Sequence, residues 1–205
     1  MQCICLNIGM LQTNCYVVYD DDKVGAVIDP GGNEDRIIEV IRKNNLKITH
    51  ILLTHAHFDH LLAADAVRAE TGAALMVSTA DRSMLENRAY SMIPPHITIP
   101  IADELFDDKD EIKTGGLTFK VMHTPGHTPG SCCFKCENVL FSGDTLFESS
   151  IGRVDFPGGD AAAMECSLAA LSELDGGYTV LPGHGGSTTI EREKANNPYL
   201  KGFYK

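Results

Sequence analysis

Short apolar runs with strand-like alternation open the chain. Residues 3–8, 14–19 and 25–28 are separated by polar or glycine-bearing turns, and the last run closes on Asp29-Pro30-Gly31-Gly32. This pattern predicts a meander. From Asn33 to Asn44 the period changes: Ile37, Ile38 and Ile41 recur at helical spacing, with Asn33 as a candidate cap. Residues 48–53 form a short apolar run that predicts a buried strand, and it delivers the chain into Thr54-His55-Ala56-His57-Phe58-Asp59-His60. Beyond it the pattern predicts a helix over 61–70 closed by Gly72, a strand over 74–77, and a helix followed by a proline-containing loop over 78–101.

The second half repeats the style. Strands are expected over 117–122, 131–136, 139–142 and 178–181, a helix over 161–174, and a last helical segment from 190 towards 200. Strands in runs with helices between them, in two similar halves, predict a mixed α/β (α+β) arrangement of two stacked sheets with helices outside. No linker, repeat or low-complexity tract interrupts the sequence. A single domain over 1–205 is expected, with no C-terminal helical substrate-binding domain.

Composition narrows the class of partner. Hydrophobic residues make up 43% and charged residues 22%, as in a soluble globular protein. Seventeen basic against 28 acidic residues give a formal charge of −11, which repels phosphate backbones and anionic lipid surfaces. The expectation is a small-molecule substrate, with neither nucleic acid nor membrane as partner. Charge and composition leave the oligomeric state open. Seven cysteines form an odd set without a regular framework, which suits a reducing compartment. Residues 1–10 lack a basic, apolar leader pattern and no stretch approaches the roughly 20 apolar residues of a membrane helix, so a cytoplasmic location is expected.

The chemistry concentrates at turns that follow apolar runs. His55 and His57 are two apart beyond a strand, so an extended chain projects both imidazoles to one side. Asp59 and His60 follow where a turn swings them to a second position. A polar loop of solvated histidines is the plain alternative, yet four metal-capable side chains within six residues are hard to explain by packing. The spacing is not the His-Glu-x-x-His of zinc proteases. Three more candidates sit beside glycines: His127 in Pro125-Gly126-His127-Thr128-Pro129-Gly130, Asp144 in Ser142-Gly143-Asp144-Thr145, and His184 in Pro182-Gly183-His184-Gly185. Glycine allows close backbone approach at a crowded centre, although turns need it as well.

Thr-His-x-His-x-Asp-His, then Gly-His-Thr-Pro-Gly-Ser, Gly-Asp and Pro-Gly-His-Gly, in this order, resemble the metallo-β-lactamase superfamily over nearly the whole chain. Asn14-Cys15-Tyr16 and Asp29-Pro30-Gly31 also resemble its opening. The resemblance implies a four-layer αββα sandwich, and within the superfamily the chain is most similar to glyoxalase II-like proteins in their short form. It implies His55, His57 and His127 on one divalent metal ion, Asp59, His60 and His184 on a second, and Asp144 bridging them. Nitrogen and oxygen ligands make zinc the first choice, and iron or manganese accept the same set. By the same resemblance, hydroxide held between the metals attacks an S-lactoyl thioester such as S-lactoylglutathione, with Asp59 as the catalytic carboxylate.

Gly152-Arg153-Val154-Asp155-Phe156 carries Arg and Asp where glutathione-gripping relatives have Lys and Tyr. Arg153 is a candidate for binding a substrate carboxylate, or else a loop-holding partner of Asp155. Phe147 and Phe156 are candidates for the pocket mouth. Cys133 and Cys136 make a Cys-x-x-Cys with no second pair, and read as buried thiols. Two rival readings remain. Persulfide dioxygenases share these motifs and a Gly-Arg-x-Asp-Phe segment, which implies a single iron on His55, His127 and Asp144. A non-catalytic binding module keeps the fold but usually loses ligands, and here all seven are present. β-Lactamase and nuclease activities of the wider superfamily are set aside on the acidic charge and the missing export pattern.

Overall fold

Alternation along the strands determines how the layers stack. In the computed structural model, which describes residues 1–201, β1 (Gln2–Ile8), β2 (Thr13–Tyr19), β3 (Val24–Ile28), β4 (Lys47–Leu52), β5 (Ala74–Ser78) and β6 (Glu104–Phe106) lie side by side in that order. The first three pair antiparallel and the rest parallel, with α1 (Glu34–Lys43) and α2 (Ala64–Thr71) as the crossovers. The second sheet runs β14 (Thr188–Thr189), β13 (Thr179–Pro182), β10 (Val139–Gly143), β9 (Cys132–Cys136), β8 (Leu117–His123), β7 (Glu111–Thr114). β11 (Leu146–Phe147) and β12 (Ser150–Ile151) make a separate small ribbon.

Successive residues of one strand serve different cores because their side chains point to opposite faces. Tyr16, Val18, Ala26, Ile28 and Leu52 of the first sheet meet Phe119, Val121, Phe134 and Phe141 of the second in a shared inter-sheet core. The alternate residues Cys15, Val17, Val27 and Ile51 face outward onto Ile37 and Ile41 of α1 and Ala64 and Val67 of α2. On the far side, Cys133, Leu140 and Val180 pack against Met164, Leu168 and Leu171 of α5 (Ala161–Ser172) and Ile190 of α6 (Ile190–Asn196). These three clusters make the four-layer αββα order the sequence implied. Strands buried on both faces read as continuous apolar runs, which is why β2 shows no polar side.

Several local expectations are corrected. Asn33 precedes α1, but at φ 49° and ψ 50° its side chain does not cap the helix, and its Oδ1 accepts from the Gly9 amide at 2.8 Å instead. The helix expected from 61 begins at Ala64, because Phe58–His60 forms a 3-10 turn and Leu61–Ala63 complete the descent from it. The helix expected after residue 78 is two short ones, α3 (Arg82–Glu86) and α4 (Arg88–Ser91), broken at Asn87, whose Oδ1 caps the second through the Ala89 amide at 3.0 Å. The strands β6, β7, β11, β12 and β14 were not anticipated. The final helix stops at Asn196, and residues 202–205 of the expected domain lie outside the described residues. Among the described residues no helix is long and apolar enough to cross a membrane.

Candidate metal centre

All seven candidate ligands follow the carboxyl ends of strands on one rim: His55 to His60 after β4, His127 after β8, Asp144 after β10 and His184 after β13. The first loop is anchored before it reaches its histidines. Asp29, at the end of β3 with φ 51°, accepts the Thr54 amide at 2.8 Å and the Thr54 hydroxyl at 2.7 Å. The 3-10 turn Phe58–His60 then carries Asp59 and His60 away from His55 and His57.

Outer hydrogen bonds orient the imidazoles. His60 Nδ1–H donates to Asp29 Oδ2 at 3.0 Å, His127 Nδ1–H to the Arg153 carbonyl at 2.8 Å, and His184 Nδ1–H to the Leu11 carbonyl at 3.1 Å. The Thr54 hydroxyl gives its proton to Asp29, so at 3.1 Å it accepts from His55 Nδ1–H. Each of these four rings therefore turns its Nε2 inward, where a cation would take the place of any proton it carries. His55 Nε2 and Asp144 Oδ1 are buried there without any hydrogen-bond partner, as is His57 Nε2 on its own ring. Buried acceptors facing one another are costly unless a cation joins them.

The inward atoms fall into overlapping sets. Ligand-capable atoms of His55, His57 and His127 lie within 4.8 Å of one another, and so do those of Asp59, His60 and His184. His57 Nδ1 is 2.8 Å from His127 Nε2, and His60 Nε2 is 3.3 Å from His184 Nε2. Asp144 stands between the sets, with Oδ2 3.6 Å from both His127 Nε2 and His184 Nε2 and Oδ1 3.5 Å from His60 Nε2. Asp59 Oδ2 accepts from the Thr13 hydroxyl at 3.2 Å and lies 3.3 Å from His184 Nε2.

The electrostatics suit a positive charge here. Burial opposes charge on His60, but Asp144, Asp29 and Asp59 overcome it and hold its pKa up at about 10. Burial, reinforced by His127 and His60, pushes His57 down to about 3, so its ring is neutral, the form that ligates. Burial would raise Asp59, yet His60 and His184 outweigh it and keep the carboxyl below the usual range.

Three anchoring residues escaped the sequence reading of the site. The buried Asp81 accepts from the Ala56 amide at 2.9 Å, the Thr128 hydroxyl at 2.8 Å and the Gly130 amide at 2.6 Å, tying the His55–His60 loop to the His127 loop. Asn14 Nδ2 donates to the Pro182 and Gly185 carbonyls at 3.0 and 2.9 Å, and the Tyr16 hydroxyl donates to Pro182 at 2.7 Å, so β2 holds the His184 loop. Asn14-Cys15-Tyr16 was the only signal for that contact. For Asp81 nothing in the local sequence marks it. Gly183 is required by space, since a Cβ there would overlap the Asp144 carboxylate and sit 2.8 Å from His60 Cε1.

A pocket of about 440 Å³ opens on this cluster and includes His57, Asp59, His127, Asp144 and His184 in its lining. Phe147, Arg153 and Phe156, the three substrate-binding candidates, line it as well. Arg153 is also paired with Asp155. Cys133 and Cys136 are buried in β9 and are not among the clustered ligands, and burial raises the Cys133 thiol to about 11. Among the described residues all seven cysteines are free.

The profile of the metallo-beta-lactamase superfamily matches residues 8–184. Over 197 residues the chain is 38% identical to hydroxyacylglutathione hydrolase GloC of Haemophilus influenzae, covering 92% of this chain and 93% of that protein. Among solved structures it is similar to BLEG-1, described as a B3 metallo-beta-lactamase, with a TM-score of 0.91 and 40% identity over 97% of this chain and 99% of that one. It is also similar to TTHA1623, solved in a di-iron-bound form, with a TM-score of 0.82 and 33% identity over 96% and 100% of the two chains. The chain belongs to the metallo-β-lactamase superfamily of metal-dependent hydrolases.

Proposed function

We propose that the protein is a two-metal thioester hydrolase of glyoxalase II type, acting on S-lactoyl thioesters of which S-lactoylglutathione is the first to test. The observation that carries the reading is the set of Nε2 atoms of His55, His60, His127 and His184, fixed inward around Asp59 and Asp144. The similarity to hydroxyacylglutathione hydrolase GloC supports the substrate class. In this reading His55, His57 and His127 would hold one cation and Asp59, His60 and His184 the other, with Asp144, which stands between the two sets, available to both. Zinc is the first choice, and the di-iron neighbour supports iron on the same donors.

Bound there, two divalent cations supply Lewis acidity to the thioester carbonyl and to a water nucleophile. Asp59 orients that water and takes up its hydrogen bond, with the carboxylate itself steadied by the Thr13 hydroxyl. A carbon–oxygen bond forms, the carbon–sulfur bond breaks with its electron pair leaving on sulfur, and the proton that the water loses passes by way of Asp59 to solvent. Because a thiol has a pKa of roughly 8.5, the thiolate departs without a general acid, and the chain needs none in the pocket. Phe147 and Phe156 seat the organic part of the substrate and exclude bulk water from the cluster.

The test is hydrolysis of S-lactoylglutathione by metal-loaded protein. Turnover that falls by at least ~100-fold in Asp59→Asn supports the reading. No thioester cleavage together with oxygen uptake on glutathione persulfide would replace it with the dioxygenase. The similarity to BLEG-1 favours a second activity, β-lactam hydrolysis, and a chromogenic cephalosporin in the same assay reads it directly.

A further inference from the structure

Beside the metal ligands the pocket lining includes the apolar Leu11, Met92, Phe147, Ile151 and Phe156, with the Phe156 ring 5.8 Å from that of His57 and the Phe147 ring 6.2 Å from that of His184. Arg153 is the one cationic side chain other than histidine among the described lining residues, and two of its five N–H donors are engaged by Asp155. Its Nε and Nη2 donate to the two oxygens of Asp155 at 2.7 and 2.8 Å, a forked contact. Its guanidinium carbon lies 3.7 Å from the centroid of the Phe156 ring.

The backbone that carries the pair is fixed to the site, while the two side chains are more than half exposed. The Arg153 carbonyl accepts from His127 Nδ1–H at 2.8 Å, and Gly152 packs so closely on the Asp144 backbone that no Cβ fits. Beside Phe147, Glu148 is likewise paired, with Arg192 at 2.6 Å. A carboxylate on an incoming substrate would either displace Asp155 or take the remaining Arg153 donors, and by both routes it meets the Asp155 charge beside its own. The chain's formal charge of −11, which two divalent ions offset only in part, works in the same direction.

We propose that Asp155 sets the charge preference of this pocket: by holding Arg153 it favours thioesters whose thiol half is uncharged over those that carry carboxylates, as glutathione does. The inference rests on the thioesterase reading for its reaction, but its physical content is a binding preference. Glutathione thioesters are then accepted without being gripped, and Asp155 is the specificity-determining residue.

The experiment compares the S-lactoyl thioesters of glutathione and of N-acetylcysteamine, a neutral thiol, in wild type, Asp155→Asn and Asp155→Asn/Arg153→Met. Wild type is expected to show the higher kcat/KM on the neutral thioester. Asp155→Asn is expected to raise the glutathione-to-neutral ratio about tenfold, through KM, and the double variant to abolish that gain. Calorimetric titration of metal-loaded protein with S-hexylglutathione, a thioether that cannot be hydrolysed, is expected to show the same tenfold tightening. A ratio and an affinity that stay level or fall in Asp155→Asn overturn the proposal, even if both thioesters are hydrolysed. If neither thioester is hydrolysed while Asp155→Asn still tightens S-hexylglutathione in an Arg153-dependent way, the charge preference stands and the hydrolase reading falls.

Discussion

Replacing Asp81 by alanine tests whether one buried carboxylate holds the two histidine loops in register. Its oxygens accept two backbone amides, Ala56 and Gly130, and the Thr128 hydroxyl, all buried. Thr128 retains Ser131 Oγ at 2.8 Å after the change, but the two amides are left without an acceptor. Each orphaned buried donor costs about 1–3 kcal/mol, so the loss is about 2–6 kcal/mol, reduced by relief of the carboxylate's own burial. That is a large share of the ~5–15 kcal/mol that stabilises a typical domain. Asp81→Asn is expected to cost roughly half as much, because its amide oxygen serves one side while its NH2 opposes the other donor. Burial raises the Asp81 pKa above its usual 3.8 despite these hydrogen bonds. The folded state therefore keeps this proton to higher pH than the unfolded chain, and the group removes stability as pH rises from 3.8 through the folded value. Urea unfolding at pH 7 measures the loss, and a zinc titration measures the accompanying fall in metal affinity, about 10–100-fold. Asp81→Ala within 0.5 kcal/mol of wild type, with metal affinity unchanged, would refute the reasoning.

Gly183→Ala should abolish metal binding while leaving the far-ultraviolet circular dichroism intact. The Gly183 amide donates to Gly143 at 2.8 Å and its carbonyl accepts from Asn14 at 2.7 Å, so the backbone has no room to retreat from Asp144; wild-type metal content in this variant would contradict that. Stripping the metals with a chelator should lower the thermal midpoint, since a ligand at ~100 times its Kd adds about 2.7 kcal/mol per site, and scanning calorimetry before and after dialysis checks it. Cys133→Ala should leave metal content unchanged and cost about 1 kcal/mol in urea unfolding, because the thiol is a small buried hydrophobe outside the ligand set, its Sγ turned to the Thr124 hydroxyl and the Ser142 carbonyl.

What was legible in the sequence depended on how local each signal is. His55, His57, Asp59 and His60 fall within six residues, so their convergence needed only a strand followed by a turn. The apolar runs of β2, β3 and β10, set in two similar halves with helices between, likewise carried the stacking of two sheets. The anchors were hidden because their roles are made by distant chain segments. Asp81 meets partners 25 to 49 residues away. Asp29 was visible only as part of a turn, and its acceptance from Thr54 and His60 emerges when β3 and β4 pair. The two- to four-residue strands β6, β7, β11, β12 and β14 are too short to show a period at all. Arg153 and Asp155, two apart, could be read either as a pair or as a substrate contact, and only the structure shows the forked pairing over Phe156.

The central claim is that seven inward-facing side chains form a two-metal centre, and metal analysis of protein purified without added metal tests it most directly. The account predicts close to two equivalents of divalent metal per chain, with a clear loss in His57→Ala while the fold remains intact by circular dichroism. A single equivalent that His57→Ala leaves untouched would contradict it.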